Sequence, residues 1–204
     1  MKKILCFGDS NTFGFNPENG KRFDEQTRWA GKLKIALKNK FEVIEKGANN
    51  RCGFTANKES TELSGLIAIK KYLELKPDII ILAVGINDLQ KIYDNDEKAI
   101  YTGLKALVEE IKKENNPNII LLVPSAIKEN ILNSFFNTLF DEKSIEKSKK
   151  LPEIYQKIAK EFELDLIDLN NIAETSSTDG LHYDVEGHKK IADKLIEFIK
   201  TKFD

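Results

Sequence analysis

ILCFGDSNTFG, residues 4–14, is an apolar run that stops at Gly8 and passes at once into Asp-Ser-Asn. Apolar side chains from Ile4 to Phe7 fit a buried strand, and Gly-Asp-Ser-Asn is turn chemistry. Such a junction can be an ordinary loop, a phosphate cradle, or a device that exposes a serine hydroxyl. The rest of the chain has to choose.

Four further runs repeat the pattern: FEVIE (41–45), DIIILAV (78–84), NIILLVP (118–124) and LDLIDL (164–169). The third and fourth of the five runs are apolar at nearly every position, as strands covered on both faces are. Amphipathic stretches lie between and after the runs, at 29–40, 60–75, 97–114, 150–162 and about 187–202. In the last of these Ile191, Leu195, Ile196 and Ile199 recur at three- and four-residue steps, which gives one face to a core. Strands alternating with helices predict an α/β fold of three layers, α/β/α, on a five-stranded parallel sheet of flavodoxin-like type.

The chain has 204 residues, enough for one domain spanning 1–204, and no repeat or linker divides it. Lys and Arg number 32 against 33 Asp and Glu, so no global field favours nucleic acid or an anionic membrane. Cys6 and Cys52 lack the paired spacing of a zinc set or a disulfide framework, which points to a reducing compartment. The apolar start is too short for a signal peptide, and no run approaches the ~18 residues of a spanning helix. The expectation is a cytoplasmic protein. The stretch 125–149 is long for a connection. Its Phe135, Phe136 and Phe140 fit core packing, a lid, or a homo-oligomer contact.

In open parallel sheets, ligands bind beyond the carboxyl ends of the strands. The loops there are GDSNTFG, KGANNRCG, GINDLQ and VPSAI, followed by STDGLHYDVEGH (177–188). Both histidines lie in the last of these. Serine hydrolysis needs a hydroxyl, an imidazole, a carboxylate and oxyanion donors. His182 follows Asp179 by three residues, a spacing that can bring the carboxylate to one ring nitrogen and leave the other for Ser10. Each piece also has a plain structural use: Asp179 as a turn residue, Ser10 as a helix N-cap, Asp88 as a cap of the next segment. The side-chain amide of Asn87 can face an oxyanion, as can a backbone N–H near Gly47, Asn49 and Asn50.

GDSN near the start, a Gly/Asn loop after the second strand, GIND after the third and DGLH near the end together resemble the four blocks of the SGNH (GDSL) hydrolases, in order and over essentially the whole chain. GDSNTFGFNPENGKRFDEQTRWAGKL, with its Arg28-Trp29 pair, looks like the aryl-esterase and acyltransferase branch. The resemblance implies Ser10 as nucleophile, His182 as general base and then acid, and Asp179 as the residue orienting the imidazole. It implies oxyanion donors at the Ser10 and Asn50 backbone N–H groups and the Asn87 amide, with Asp9 structural. The second block departs from the family pattern by carrying Asn50 where glycine is usual; asparagine tolerates left-handed backbone better than most residues.

The expected activity is that of a serine esterase on short-chain acyl esters (aryl, sugar or thio), without metal or organic cofactor, with transfer to an alcohol permitted. A small-molecule ester is the expected partner. The alternatives are a flavodoxin-like module binding a phosphorylated ligand such as a flavin, and a non-catalytic relative that binds acetylated glycans. A metal at His188, with Asp184 and Glu186 nearby, is a minor alternative, since His188 lies six residues after His182 and falls at a helix start. No Walker lysine, G-x-G-x-x-G or G-x-S-x-G is present.

Overall fold

A computed structural model describes residues 1–57, 59–114 and 116–203. Five parallel strands, β1 (Lys2–Gly8), β2 (Phe41–Gly47), β3 (Ile79–Ala83), β4 (Asn118–Val123) and β5 (Asp165–Asp168), form one sheet in the order β2-β1-β3-β4-β5. This is the doubly wound order with its switch point between β1 and β3. The predicted runs all become strands, shifted by at most two residues at their ends.

Alternate side chains of a strand point to opposite faces, and β1 shows how this splits the core. Leu5 and Phe7 join one buried cluster, with Ile69 and Leu73 of α3 (Gly65–Leu73), Leu104 and Ile111 of α4 (Glu97–Lys113), and Ile154 and Ile158 of α6 (Leu151–Phe162). Ile4 and Cys6 join the other, with Trp29 and Leu33 of α2 (Trp29–Leu37) and Ile191, Leu195 and Ile199 of α7 (Val185–Phe203). Ile80 and Ile81 of β3 likewise divide between the two clusters, which is why that run reads as continuously apolar.

The stretch 125–149 holds two short 3₁₀ turns and α5 (Glu142–Ser148). Its three phenylalanines part company: Phe140 is core at 1% exposure, Phe136 is half-buried, and Phe135 is 81% exposed. The expected helix at 60–75 starts only at Gly65, after a 3₁₀ turn at Thr61–Leu63. Gly65 lies against the Cys52 and Gly53 carbonyls, and its N–H donates to Cys52. Among the described residues no helix is long and apolar enough to cross a membrane.

In the register, Gly8 pairs with Gly47 on one side and with Ala83 on the other. Three strands therefore end level, and the loops after them leave from one edge of the sheet.

Candidate active site

The junction after β1 is built by Asp9. In extended backbone (φ −94°, ψ −151°), it caps α1 (Ser10–Phe13), its carboxylate accepting from the Asn11 N–H at 2.9 Å. Ser10 thus opens the first turn and its hydroxyl is not spent as a cap. Any Cβ at Gly8 would overlap the Thr12 hydroxyl, so the strand has to end on glycine. The Gly8 carbonyl accepts from the Arg51 guanidinium at 3.0 Å. Burial pushes the Asp9 carboxyl up to about 7, against the opposing pull of the Asn11 N–H and the Arg51 charge.

Ser10 Oγ lies 2.8 Å from His182 Nε2, and His182 Nδ1 lies 2.6 Å from Asp179 Oδ2. All three side chains are buried. Asp179 Oδ1 accepts the Leu181 and His182 N–H groups at 2.9 Å each, so one short turn fixes the carboxylate and the ring above it. Burial raises the Asp179 pKa, but the His182 hydrogen bond and charge, with these two N–H groups, outweigh it and hold it below the ordinary carboxylate range. An ionised carboxylate only accepts, so the proton between them sits on Nδ1 and Nε2 is left to accept from the serine.

The asparagine of GDSN has a role that the sequence does not announce. Asn11 Oδ1 accepts the Tyr183 N–H at 3.1 Å and its amide donates to the Leu181 carbonyl at 3.3 Å. Those groups flank His182, so the residue after the serine clamps the backbone on both sides of the imidazole. Phe15 and Phe136 pack on the ring itself, with centroids 4.3 Å and 5.1 Å from it.

Loops from β2 and β3 close the site. Asn50 has φ +63°, the left-handed conformation that a glycine would otherwise supply. Asn87 opens a 3₁₀ turn (Asn87–Leu89); its amide donates to the Arg51 carbonyl at 3.1 Å, and its Oδ1 accepts from Gln90 at 3.2 Å. Asp88 does not cap the segment after it. Fully buried, it accepts the N–H groups of Gly53, Phe54 and Thr55 at 2.6, 3.1 and 2.7 Å, tying the β2 loop to the β3 loop. Arg51 is 1% exposed and bonds Gly8, Lys46 and Glu62. Arg51, Gln90, Asn11 and Phe15 escape sequence reading because each has a partner that is remote in the chain.

Ser10, Asn49, Asn50, Asn87 and His182 line one cavity of about 100 Å³ whose remaining walls are Phe15, Phe136, Leu139, Phe140 and Leu181. Asn50 and Leu139 also line a neighbouring cavity of about 430 Å³ that reaches Ile92 and Tyr93. A polar groove of similar volume, bounded by Lys128, Glu174 and Lys190, contains no residue of the Ser10 cavity.

His188 points away from this chemistry. Its Nδ1 accepts the Trp29 N–H at 3.3 Å inside the α2–α7 contact, and burial pushes its pKa down to about 4, with the charge of His182 adding to the effect. Among the described residues, no three His, Cys, Asp or Glu side chains are grouped to hold a metal ion. Arg28 of the Arg-Trp pair grips Glu45 with two nitrogens, at 2.6 and 2.8 Å, and pins the arm between α1 and α2 to β2.

The sequence matches the model of the GDSL-like lipase/acylhydrolase family over residues 4–195. The structure of an aryl esterase from M. smegmatis is 26% identical, with a TM-score of 0.90 over 98% of this chain and 99% of that one. A carbohydrate acetylesterase family member from Sinorhizobium meliloti is 26% identical, with a TM-score of 0.88 over 98% of each chain. A lipase/acylhydrolase from Enterococcus faecalis, at 22% identity and a TM-score of 0.74 over 99% of this chain and 97% of that one, shares the fold. No curated protein matches the sequence. The family match runs through the GDSN, GIND and DGLH blocks that the fold gathers at one sheet edge, and the chain belongs to the GDSL-like lipase/acylhydrolase family, an ester-hydrolysing enzyme.

Proposed function

We propose that the protein hydrolyses short-chain acyl esters through an acyl-enzyme on Ser10. The observation that carries this is the hydrogen-bonded series Ser10–His182–Asp179 opening onto the same small cavity as Asn50 and Asn87. Ser10 Oγ attacks the ester carbonyl carbon while His182 Nε2 takes the hydroxyl proton, and Asp179 stabilises the imidazolium. The Ser10 and Asn50 backbone N–H groups and the Asn87 amide receive the negative oxygen of the tetrahedral intermediate. His182 then gives its proton to the departing alcohol oxygen as the C–O bond breaks. Water, deprotonated by the same nitrogen, attacks the acyl-enzyme, and collapse of the second intermediate returns Ser10 and releases the acid. An alcohol in place of that water would make the reaction a transfer.

The cavity of about 100 Å³, walled by phenylalanines and leucines, suits an acetyl or similarly short acyl group. The adjoining space of about 430 Å³ leaves room for a larger alcohol part. That division agrees with the aryl and carbohydrate acetyl esters named for the 26%-identical structures. Hydrolysis of p-nitrophenyl esters from acetate to octanoate is the test. Acetate should be preferred, with Ser10→Ala and His182→Ala each losing at least about 10⁴-fold in kcat and Asn87→Ala about 10²–10³-fold. Full activity in Ser10→Ala would overturn the proposal.

A further inference from the structure

Gln90 follows Asn87 by three residues on a 3₁₀ turn, where positions i and i+3 eclipse, so the two side chains lie on one side of the turn. Its amide nitrogen donates to Asn87 Oδ1 at 3.2 Å and to Asn50 Oδ1 at 2.7 Å, and the residue is 2% exposed. A primary amide has two N–H donors, and these two bonds use both.

The direction of every bond in this chain is fixed from its ends. The Arg51 carbonyl can only accept, so the group 3.1 Å away is the Asn87 amide nitrogen and Asn87 Oδ1 must face the other way, toward Gln90. The Glu59 carboxylate likewise only accepts when ionised; it lies 3.4 Å from Asn50 Nδ2, which turns Asn50 Oδ1 toward Gln90 as well. Two acceptors therefore converge on Gln90, and only a double donor satisfies both. With Oδ1 held by Gln90 and one N–H spent on Arg51, Asn87 keeps a second N–H with no partner among the described residues, in the cavity shared with Ser10. A flipped Asn87 amide would present an oxygen there, repelling the developing oxyanion.

We infer that Gln90 is a positioning residue that holds Asn87 and Asn50 together in the donor orientation the oxyanion requires. The inference rests on the acyl-enzyme proposal above. It assigns to the last residue of GINDLQ the task of setting the polarity of the hole, and the effect falls on the transition state. Gln90 lines the neighbouring cavity of about 430 Å³ but not the Ser10 cavity, so binding of the acyl group is left alone.

Gln90→Met keeps length and bulk but donates nothing. Gln90→Glu keeps shape and replaces the double donor by an acceptor facing two acceptors. Both are compared with wild type for kcat and KM on p-nitrophenyl acetate, for affinity toward a small alkylboronic acid, which forms a tetrahedral anionic adduct with an active serine, and for thermal midpoint. Ser10→Ala and Asn87→Ala serve as references. The expected result is a fall in kcat of about 10-fold in Gln90→Met and more in Gln90→Glu, within the 10²–10³-fold that a lost oxyanion donor costs. Affinity for the alkylboronic acid, which carries no alcohol part to reach the cavity that Gln90 lines, should fall in parallel with kcat. The inference is overturned if both variants keep wild-type kcat and boronic acid affinity while Asn87→Ala loses them, or if kcat falls in step with thermal midpoint and boronic acid affinity is unchanged. Full activity in Ser10→Ala would instead remove the underlying acyl-enzyme proposal.

Discussion

Asn50 is the residue at which the sequence departs from the usual family pattern, and its backbone shows how the departure is tolerated. At φ +63° an L-residue with a branched β-carbon is strained by about 1–2 kcal/mol, whereas glycine is at ease and asparagine nearly so. Asn50→Gly should therefore keep the fold and cost less than about tenfold in kcat, losing the side-chain tethers to Gln90 and Glu59. Asn50→Val should lower both thermal stability and kcat, because relief of the strain would shift the loop that lines the Ser10 cavity. Circular-dichroism melts with p-nitrophenyl acetate kinetics decide this; equal kcat in the two variants would show that the Asn50 N–H takes no part. Ser10, Asp179 and His182 could be proposed from the sequence because the chain has only two histidines, both in one loop, and one of them follows an aspartate by three residues. Asn11 and Gln90 could not, since Asn11 meets a partner 172 positions away and Gln90 joins Asn87 to an Asn50 that lies 40 positions away.

The link between β3 and its active-site loop is the Val84-Gly85 step. Gly85 has φ +115°, and a Cβ there would overlap the Tyr155 hydroxyl, which donates to the Val84 carbonyl at 2.6 Å. Helix α6 thus packs a tyrosine against the turn that presents Asn87. Gly85→Ala should cost about 2–4 kcal/mol, combining unfavourable backbone with a lost buried hydrogen bond, and should lower kcat by displacing Asn87. Adding Tyr155→Phe should recover part of the stability by removing the hydroxyl from the clash; urea unfolding of the single and double variants measures it, and strict additivity would refute the coupling. Strands and long helices were readable to within a few residues from apolar periodicity. The stretch 125–149 was not, because its short 3₁₀ turns have no sustained period and its phenylalanines serve different surroundings.

Across the molecule, pH acts on groups that the fold has buried. His188 is held neutral between α2 and α7 by burial and the nearby His182, its pKa lowered from 6.5 to about 4. Between those values His188 binds more protons in the unfolded chain than in the native one, so the stability tied to it is full above pH 6.5 and is lost as pH falls through about 4. The loss amounts to about 3 kcal/mol. Asp9, raised to about 7, acts in the opposite sense, its contribution diminishing as pH rises toward that value. The difference between wild type and His188→Asn, whose Oδ1 takes the place of Nδ1 as acceptor of the Trp29 N–H, isolates the histidine. Urea midpoints from pH 4 to pH 7 should show a shallower acid decline in the variant, and identical slopes would assign the acid sensitivity elsewhere.

The sequence by itself determined the class of fold, because strand burial and helix amphipathy are local properties, and it offered the four blocks of the candidate site through their order along the chain. Only the tertiary structure decided that Asp9 caps so that Ser10 need not, that Asp88 ties two loops together, and which way the amides of Asn87 and Asn50 face. Those outcomes depend on the register that sets Gly8, Gly47 and Ala83 level at one edge of the sheet. A donor's direction is fixed by the acceptor opposite it, and here that acceptor belongs to another loop.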